Sequence, residues 1–385
     1  TYCMDPRLSE INPTIDGPDW ENPGGGQHRI EKYSGLSIMA NAARPQMDAF
    51  FSAHASNVLV VNGIYMGSIV HPECESRILT GSREESAADF GALAAVEGGA
   101  GYTLPYVDLT GGSRVGPYAA QTGILGKNNQ VLALLDRELK LEGPAASNLS
   151  YPLYTPKDEQ RDAIQAYLLG RQKAWADSGY QDPRSVQRLA DLSESQTRKE
   201  ELVSNKDLLT ENLTFFGGGD LDDQAKTAAI LLEAGLCHSA ALRTPFSWDT
   251  HDTIESQSLL YEGLFAGLNT LIDELKARSL YDNTLIVVTS EMTRTPRVNA
   301  EAGKDHWPVT SALLISGSLD GGRALGATGA DGLDALGYNF DTQKVDGGSD
   351  AKLGYANFVA GILHAVGAQP ELHLPKVEVL RGIVD

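Results

Sequence analysis

Apolar residues follow two rhythms along this chain. Short continuous runs, Val58-Leu59-Val60-Val61-Asn62 stopped by Gly63, Leu285-Ile286-Val287-Val288 and Ser311 to Ile315, read as strands covered on both faces, the pattern of a parallel sheet. Leu104 to Leu109 and Ser239 to Leu242 read as shorter strands. Between the runs, apolar positions recur at helical spacing over Pro45–Ala53, from His71-Pro72 to Gly81, over Asp89–Val96, over Asp222–Ala234 before Gly235, over Gln257–Arg278 and over Phe358–Val366. In the long helix Leu260, Leu264, Leu268, Leu271 and Leu275 share one face. Strands alternating with helices predict an α/β chain built on a doubly wound, mostly parallel sheet with helices on both sides.

Two stretches depart from that rhythm. Thr1 to Tyr33 is rich in Pro, Gly, Asp and Asn and reads as an irregular arm over a surface. Residues 156–209 are strongly charged and helical, with Tyr167, Leu168, Trp175, Leu189 and Leu192 as the apolar stripe. They read as a helical hairpin inserted in, or packed on, the sheet domain. No internal repeat or low-complexity tract is present.

Composition narrows the function classes. The 385 residues are 42% hydrophobic, enough for a large core. A formal charge of -20 repels phosphate backbones and argues against a nucleic-acid partner. It does not exclude a small anionic substrate, because a bound cation inverts the local field. No apolar run reaches the ~18 residues of a membrane span. Cys3, Cys74 and Cys237 are too few for a disulfide framework, and no CxxC pair offers a zinc ribbon. A start at Thr1 rather than Met suggests a removed leader or a cut chain.

Chemistry gathers in three clusters beside predicted strands. Trp248-Asp249-Thr250-His251-Asp252 follows the strand ending at Leu242, and Ser290-Glu291-Met292-Thr293-Arg294-Thr295-Pro296 follows Val288. Lys304-Asp305-His306-Trp307-Pro308 precedes the strand starting at Ser311. Ligands of open parallel sheets bind beyond the carboxyl ends of strands, where the first two clusters fall; the third reaches the same rim from its loop. Carboxylates with imidazoles form a mixed oxygen and nitrogen set suited to Zn, Mn or Fe more than to Mg. A lone Asp-His pair is more often a loop salt bridge or cap; three such clusters within about sixty residues point to a shared site.

The run from Ala228 to Pro308 resembles the bacterial domain-of-unknown-function 1501 family, a sulfatase-like branch of the alkaline-phosphatase superfamily. The resemblance rests on Leu231-Leu232-Glu233-Ala234-Gly235, Trp248-Asp249-Thr250-His251 and Leu280-Tyr281-Asp282-Asn283-Thr284-Leu285-Ile286-Val287. It continues through Ser290-Glu291, Arg294-Thr295-Pro296, Asn299, Asp305-His306-Trp307-Pro308, Gly321-Gly322-Arg323 and Gly326-Ala327-Thr328. Further upstream, Leu79-Thr80-Gly81 resembles the sulfatase segment ending in Leu-Thr-Gly, and counting back puts the nucleophile position on His71. Neither the Cys or Ser that becomes formylglycine nor the Thr or Ser of a phosphatase stands there; Cys74 and Ser68 are near but fit less well by position.

The resemblance implies a single alkaline-phosphatase-like domain over residues 1–385, with 156–209 as a helical insertion. It implies metal ligands Asp249, His251, Glu291, Asp305 and His306, and an early ligand Asp for which Asp5 is a candidate unless the true ligand lies upstream of Thr1. His71 is expected to serve as nucleophile, acid/base or ligand, Arg294 to grip an oxyanion and Asn299 to donate to the same group. The expected cofactor is a divalent metal ion, Zn first, with Mn, Fe or Ca as alternatives. The expected function is hydrolysis of a small anionic phosphate or sulfate ester by a periplasmic or secreted bacterial protein. The alternative is a non-catalytic exported binding or surface-assembly protein keeping a structural metal.

Overall fold

The computed structural model describes residues 28–124, 158–179, 182–205, 207, 220–296, 299–329 and 334–384. Asp5, Cys3 and the arm before residue 28 lie outside them. The last part of the predicted arm is not irregular: β1 (His28–Tyr33) pairs antiparallel with β2 (Leu36–Asn41). Ser34-Gly35 makes the two-residue turn, with Ser34 at φ 56, a conformation typical of tight hairpins.

The main sheet is four strands in the order β11 (Arg323–Leu325), β3 (Val58–Tyr65), β10 (Val309–Ile315), β7 (Ile286–Val288). A second sheet is fully parallel, with β4 (Tyr106–Asp108) between β5 (Thr122–Ile124) and β6 (Ser239–Ala241). The apolar runs at Val58 and Ile286 therefore share a sheet, as predicted. The strand between them corrects the expectation of mostly parallel neighbours: β10 runs antiparallel to both β3 and β7.

A continuous apolar run reports burial on both faces, and that burial has another source here than parallel pairing. Along β3 and β10, Val58, Val60, Leu313 and Ile315 enter one core, whereas Leu59, Val61, Ala312 and Leu314 enter another. The first core is closed by α1 (Pro45–His54) and α7 (Gln257–Ala277), with α6 (Leu221–Glu233) beside them. The second is closed by α2 (His71–Thr80), α3 (Phe90–Gly98) and α8 (Tyr355–Ala365). Helices thus flank the sheet on both sides, and each buried Val, Leu or Ile side chain contributes roughly 1.5–3 kcal/mol.

Local signals set the helix ends. Asp89 caps α3 by accepting from the Ala92 amide, and Asp220 caps α6 by accepting from Asp223. Pro72 starts α2, and Gly81 ends it at φ 69 with its N–H on the Arg77 carbonyl.

The charged stretch forms α4 (Asp158–Asp177) and α5 (Pro183–Ser204), tied where Gln172 Nε2 donates to the Leu189 carbonyl at 3.1 Å. Leu168, Trp175, Leu189 and Leu192 are half-buried, but Tyr167 is 62% exposed and leaves the predicted stripe. Leu202 of α5 joins a third cluster with Leu104, Val107 and Leu231. Among the described residues no helix is long and apolar enough to cross a membrane.

Candidate metal centre

Three chain segments meet at one rim. α2 starts just beyond the carboxyl end of β3, placing His71 there; Glu291 follows β7; Asp249 and His251 lie in the loop after β6. β10 pairs Val309 with Tyr65, so the residues entering β10 stand at the edge where β3 leaves. Its antiparallel direction delivers His306 to the site. Just before it, β8 (Thr293–Arg294) pairs with β9 (His306–Trp307), setting Arg294 directly across from His306.

Asp249 is the hub. Its Oδ1 lies 3.0 Å from His306 Nε2 and 3.0 Å from His251 Nε2, and accepts from Arg294 Nη2 at 2.6 Å. Its Oδ2 is 3.3 Å from His71 Nε2. Burial pushes the Asp249 carboxyl up, but the hydrogen bond from Arg294 and its charge outweigh it and hold the group well below the usual carboxylate range.

The other nitrogen of each ring is taken. His71 Nδ1 donates to Glu291 Oε1 at 2.9 Å, His251 Nδ1 to Asp305 Oδ1 at 3.0 Å and His306 Nδ1 to the Ile69 carbonyl at 2.8 Å. A carbonyl only accepts, and a carboxylate accepts, so each neutral ring carries its proton on Nδ1 and a bare lone pair on Nε2. His251 and His306 then point two lone pairs at each other across 3.0 Å. Among the described residues His71 Nε2 is buried with no hydrogen-bond partner, 3.3 Å from Asp249 Oδ2.

Lone pairs so close repel unless a proton or a metal ion lies among them. Ligand atoms around a tetrahedral ion with bonds of ~2.0–2.1 Å stand about 3.3 Å apart. The donor set fits such an ion: ligand atoms of His71, Asp249 and His306 all lie within 4.8 Å of one another.

The remaining residues predicted for the site lie behind it. Arg294, expected to meet an oxyanion, is only 5% exposed. Its Nη1 donates to the Lys304 carbonyl, and its Nη2 to the Trp248 carbonyl and Asp249. Asn299 Nδ2 donates to the His251 carbonyl, and its Oδ1 accepts from the Glu301 and Gly303 amides. Gly303 presses so close that a Cβ there would stand 2.0 Å from the His251 oxygen. Cys74 is buried, with Sγ donating to the Ser68 carbonyl, and Ser68 Oγ donates to Glu73.

Sequence reasoning missed Gln257, Lys304 and Ile69. Gln257 Nε2 bonds the Trp248 carbonyl and Thr250 Oγ1, and fully buried Lys304 donates to the Pro296 carbonyl. Lys304 stood inside the third cluster; the Ile69 contact is a backbone carbonyl and leaves no mark in a sequence.

Comparisons with known proteins add a family and little else. The model of a family described as Protein of unknown function (DUF1501) matches residues 27–371. No curated protein matches the chain. A crystal structure of Ps i-CgsB is similar at 9% identity and TM-score 0.38, covering 88% of this chain and 70% of that one. Ps i-CgsB in complex with k-i-k-neocarrahexaose is similar at 12% identity and TM-score 0.33, covering 87% and 69%. Scores this low leave both likenesses without weight for fold or function.

Proposed function

We propose that this chain, which belongs to the DUF1501 family of proteins of unknown function, is a metal-dependent hydrolase of phosphate or sulfate esters on an alkaline-phosphatase-like arrangement. One observation carries the reading. Three imidazoles turn bare Nε2 atoms on the Asp249 carboxylate, while Glu291, Asp305 and the Ile69 carbonyl hold the opposite nitrogens. Acceptors on the far nitrogen fix the tautomer and make each ring a stronger donor to an ion.

In this reading His71, His251, His306 and Asp249 hold the metal. Glu291 and Asp305 orient rings rather than ligate, and His71 is a ligand rather than a nucleophile. Three nitrogens and an oxygen suit Zn best, with Mn or Fe behind; Ca, which takes oxygen ligands, fits least. When bound, the ion supplies a Lewis acid that polarises ester oxygens and lowers the pKa of a water. Arg294 keeps Asp249 ionised and aimed, and Asn299 with Gly303 fixes the His251 backbone. We include export across the bacterial inner membrane in the proposal; finding the mature chain only in a cytosolic fraction would count against it.

The test is metal analysis by mass spectrometry together with a panel of aryl phosphates and sulfates. We expect a stoichiometric ion, turnover that chelation abolishes and recovery on adding Zn. A bound ion with no turnover on any ester supports instead an exported binding or assembly protein with a structural metal. A chain that binds no ion sinks both.

A further inference from the structure

The charge around the centre is mostly negative, with Asp249, Glu291 and Asp305 in it and Glu73 and Glu75 on the adjoining turns of α2. Among the described residues the arginines beside it are engaged: Arg294 faces inward, and Arg77 bonds Glu73 and the Met66 carbonyl.

Arg243 is held differently. Its backbone, just past β6, is clamped on both sides by buried Gln224, which accepts from the Arg243 N–H and donates to its carbonyl, each at 2.8 Å. Its side chain remains 62% exposed, with Nη1 3.2 Å from Glu75 Oε1. The loop leaving β4 passes beneath it, and a Cβ on Gly112 would stand 3.3 Å from Arg243 Nη1. That loop is preformed around buried Asp108, which accepts from the Thr110, Gly111 and Ser113 amides and the Thr110 hydroxyl. Two rigid loop ends at the carboxyl edge of β4 and β6 thus hold a guanidinium against α2, one turn beyond His71.

An exposed ion pair contributes little to stability and exchanges partners readily. A guanidinium fork matches carboxylate, sulfate and phosphate alike. We propose that Arg243 is an outer anion subsite. It receives a second anionic group of the substrate by displacing Glu75, which stands one helical turn along α2 from His71. Preferred substrates therefore carry an anionic group beside the cleaved ester. The word substrate rests on the hydrolase reading; the anion subsite does not.

The experiment is a calorimetric titration of the metal-loaded full chain with benzene-1,3-disulfonate and with benzenesulfonate, in wild type, Arg243→Ala, Arg243→Lys and Glu75→Gln. The disulfonate is expected to bind wild type several-fold more tightly than the monosulfonate. Arg243→Ala should erase that preference, Arg243→Lys should restore part of it, and Glu75→Gln should strengthen it, all at unchanged metal content. No preference in wild type overturns the proposal. So does an Arg243→Ala chain that melts earlier yet keeps the preference, which leaves Arg243 a tie between α2 and β6. In parallel, the KM ratio of a plain to a carboxylated aryl ester should exceed one in wild type and collapse toward one in Arg243→Ala. If wild type turns over neither ester, the hydrolase reading fails while the titration still decides the subsite.

Discussion

A neutral imidazole offers one lone pair, and its neighbours decide which nitrogen offers it. At His71, His251 and His306 the deciding neighbours are Glu291, Asp305 and the Ile69 carbonyl. Replacing Asp305 by Ala frees the His251 ring, and a roughly 10–100-fold loss of Zn affinity is expected, read by competition with a fluorescent chelator. Asp249→Asn should lose more, since it removes the charge on which the rings converge; an Asp305→Ala chain binding Zn like wild type would show that the ring is held otherwise. A second residue-scale prediction concerns Asp89, buried behind α3, where desolvation lifts its carboxyl to about 6 from the ordinary 3.8. A raised folded pKa means the ionised form is penalised. The group's contribution is complete below about pH 3.8 and is lost as pH rises through 6, a change of about 3 kcal/mol. Asp89→Asn removes this linkage, so wild type should lose stability relative to the variant between pH 4 and pH 7 in denaturant melts; a pH-independent gap would refute the assignment. The residue types of the candidate centre were legible in sequence because Asp249, Glu291 and His306 each sit beside a strand end. Partners remote in sequence were not: Arg294 turns inward because β8 lays it opposite His306, a pairing no local pattern announces.

Elements were read better than their directions. The apolar runs at Val58, Ile286 and Ser311 marked strands correctly because burial on two faces leaves no polar position to alternate. The same burial is reached by antiparallel β10, so hydrophobicity alone could not give its sense, and that sense is what brings His306 to the rim. The β1–β2 hairpin was missed because His28-Arg29-Ile30-Glu31-Lys32-Tyr33 is charged and Ile30 is half exposed, although Ser34-Gly35 carried a turn signal. α2 was bounded well, from Pro72 to Gly81, and its end can be tested. Gly81 sits at φ 69, and a Cβ there would stand 2.8 Å from Leu374 Cδ1 and 3.0 Å from Val359 Cβ. A left-handed backbone costs an L-residue roughly 1–2 kcal/mol, and overpacking adds about 1–3. Gly81→Ala should therefore lower stability by about 2–5 kcal/mol in urea unfolding; an unmoved midpoint would mean that α2 does not depend on this stop.

At the scale of the whole molecule, a chain of charge -20 gathers Asp249, Glu291, Asp305 and three imidazoles at one sheet edge, a concentration of acceptors that weakens the folded state unless a cation joins them. The layered α/β architecture was legible from the alternation of runs and helices, because each helix needed an apolar face to cover and the sheet supplied two. The pull of opposed acceptors on folding was not, since it arises only when segments far apart in sequence close together. Metal removal should expose it. An ion that binds the folded chain alone stabilises it by about 2.7 kcal/mol at a hundredfold excess over its Kd, which for a chain of this size corresponds to a shift of about 3 °C. The chelator-stripped chain is thus expected to melt lower by that much in calorimetry, and Zn should restore the lost degrees. Mg, which favours oxygen ligands and keeps its water, should restore few of them. In Asp249→Asn the Zn-dependent rise should vanish, because the rings lose the carboxylate that makes their convergence a cation site. Stripped and Zn-supplied wild-type chains melting together would mean that the imidazoles settle their opposed lone pairs with a shared proton, and that the cluster is no metal centre.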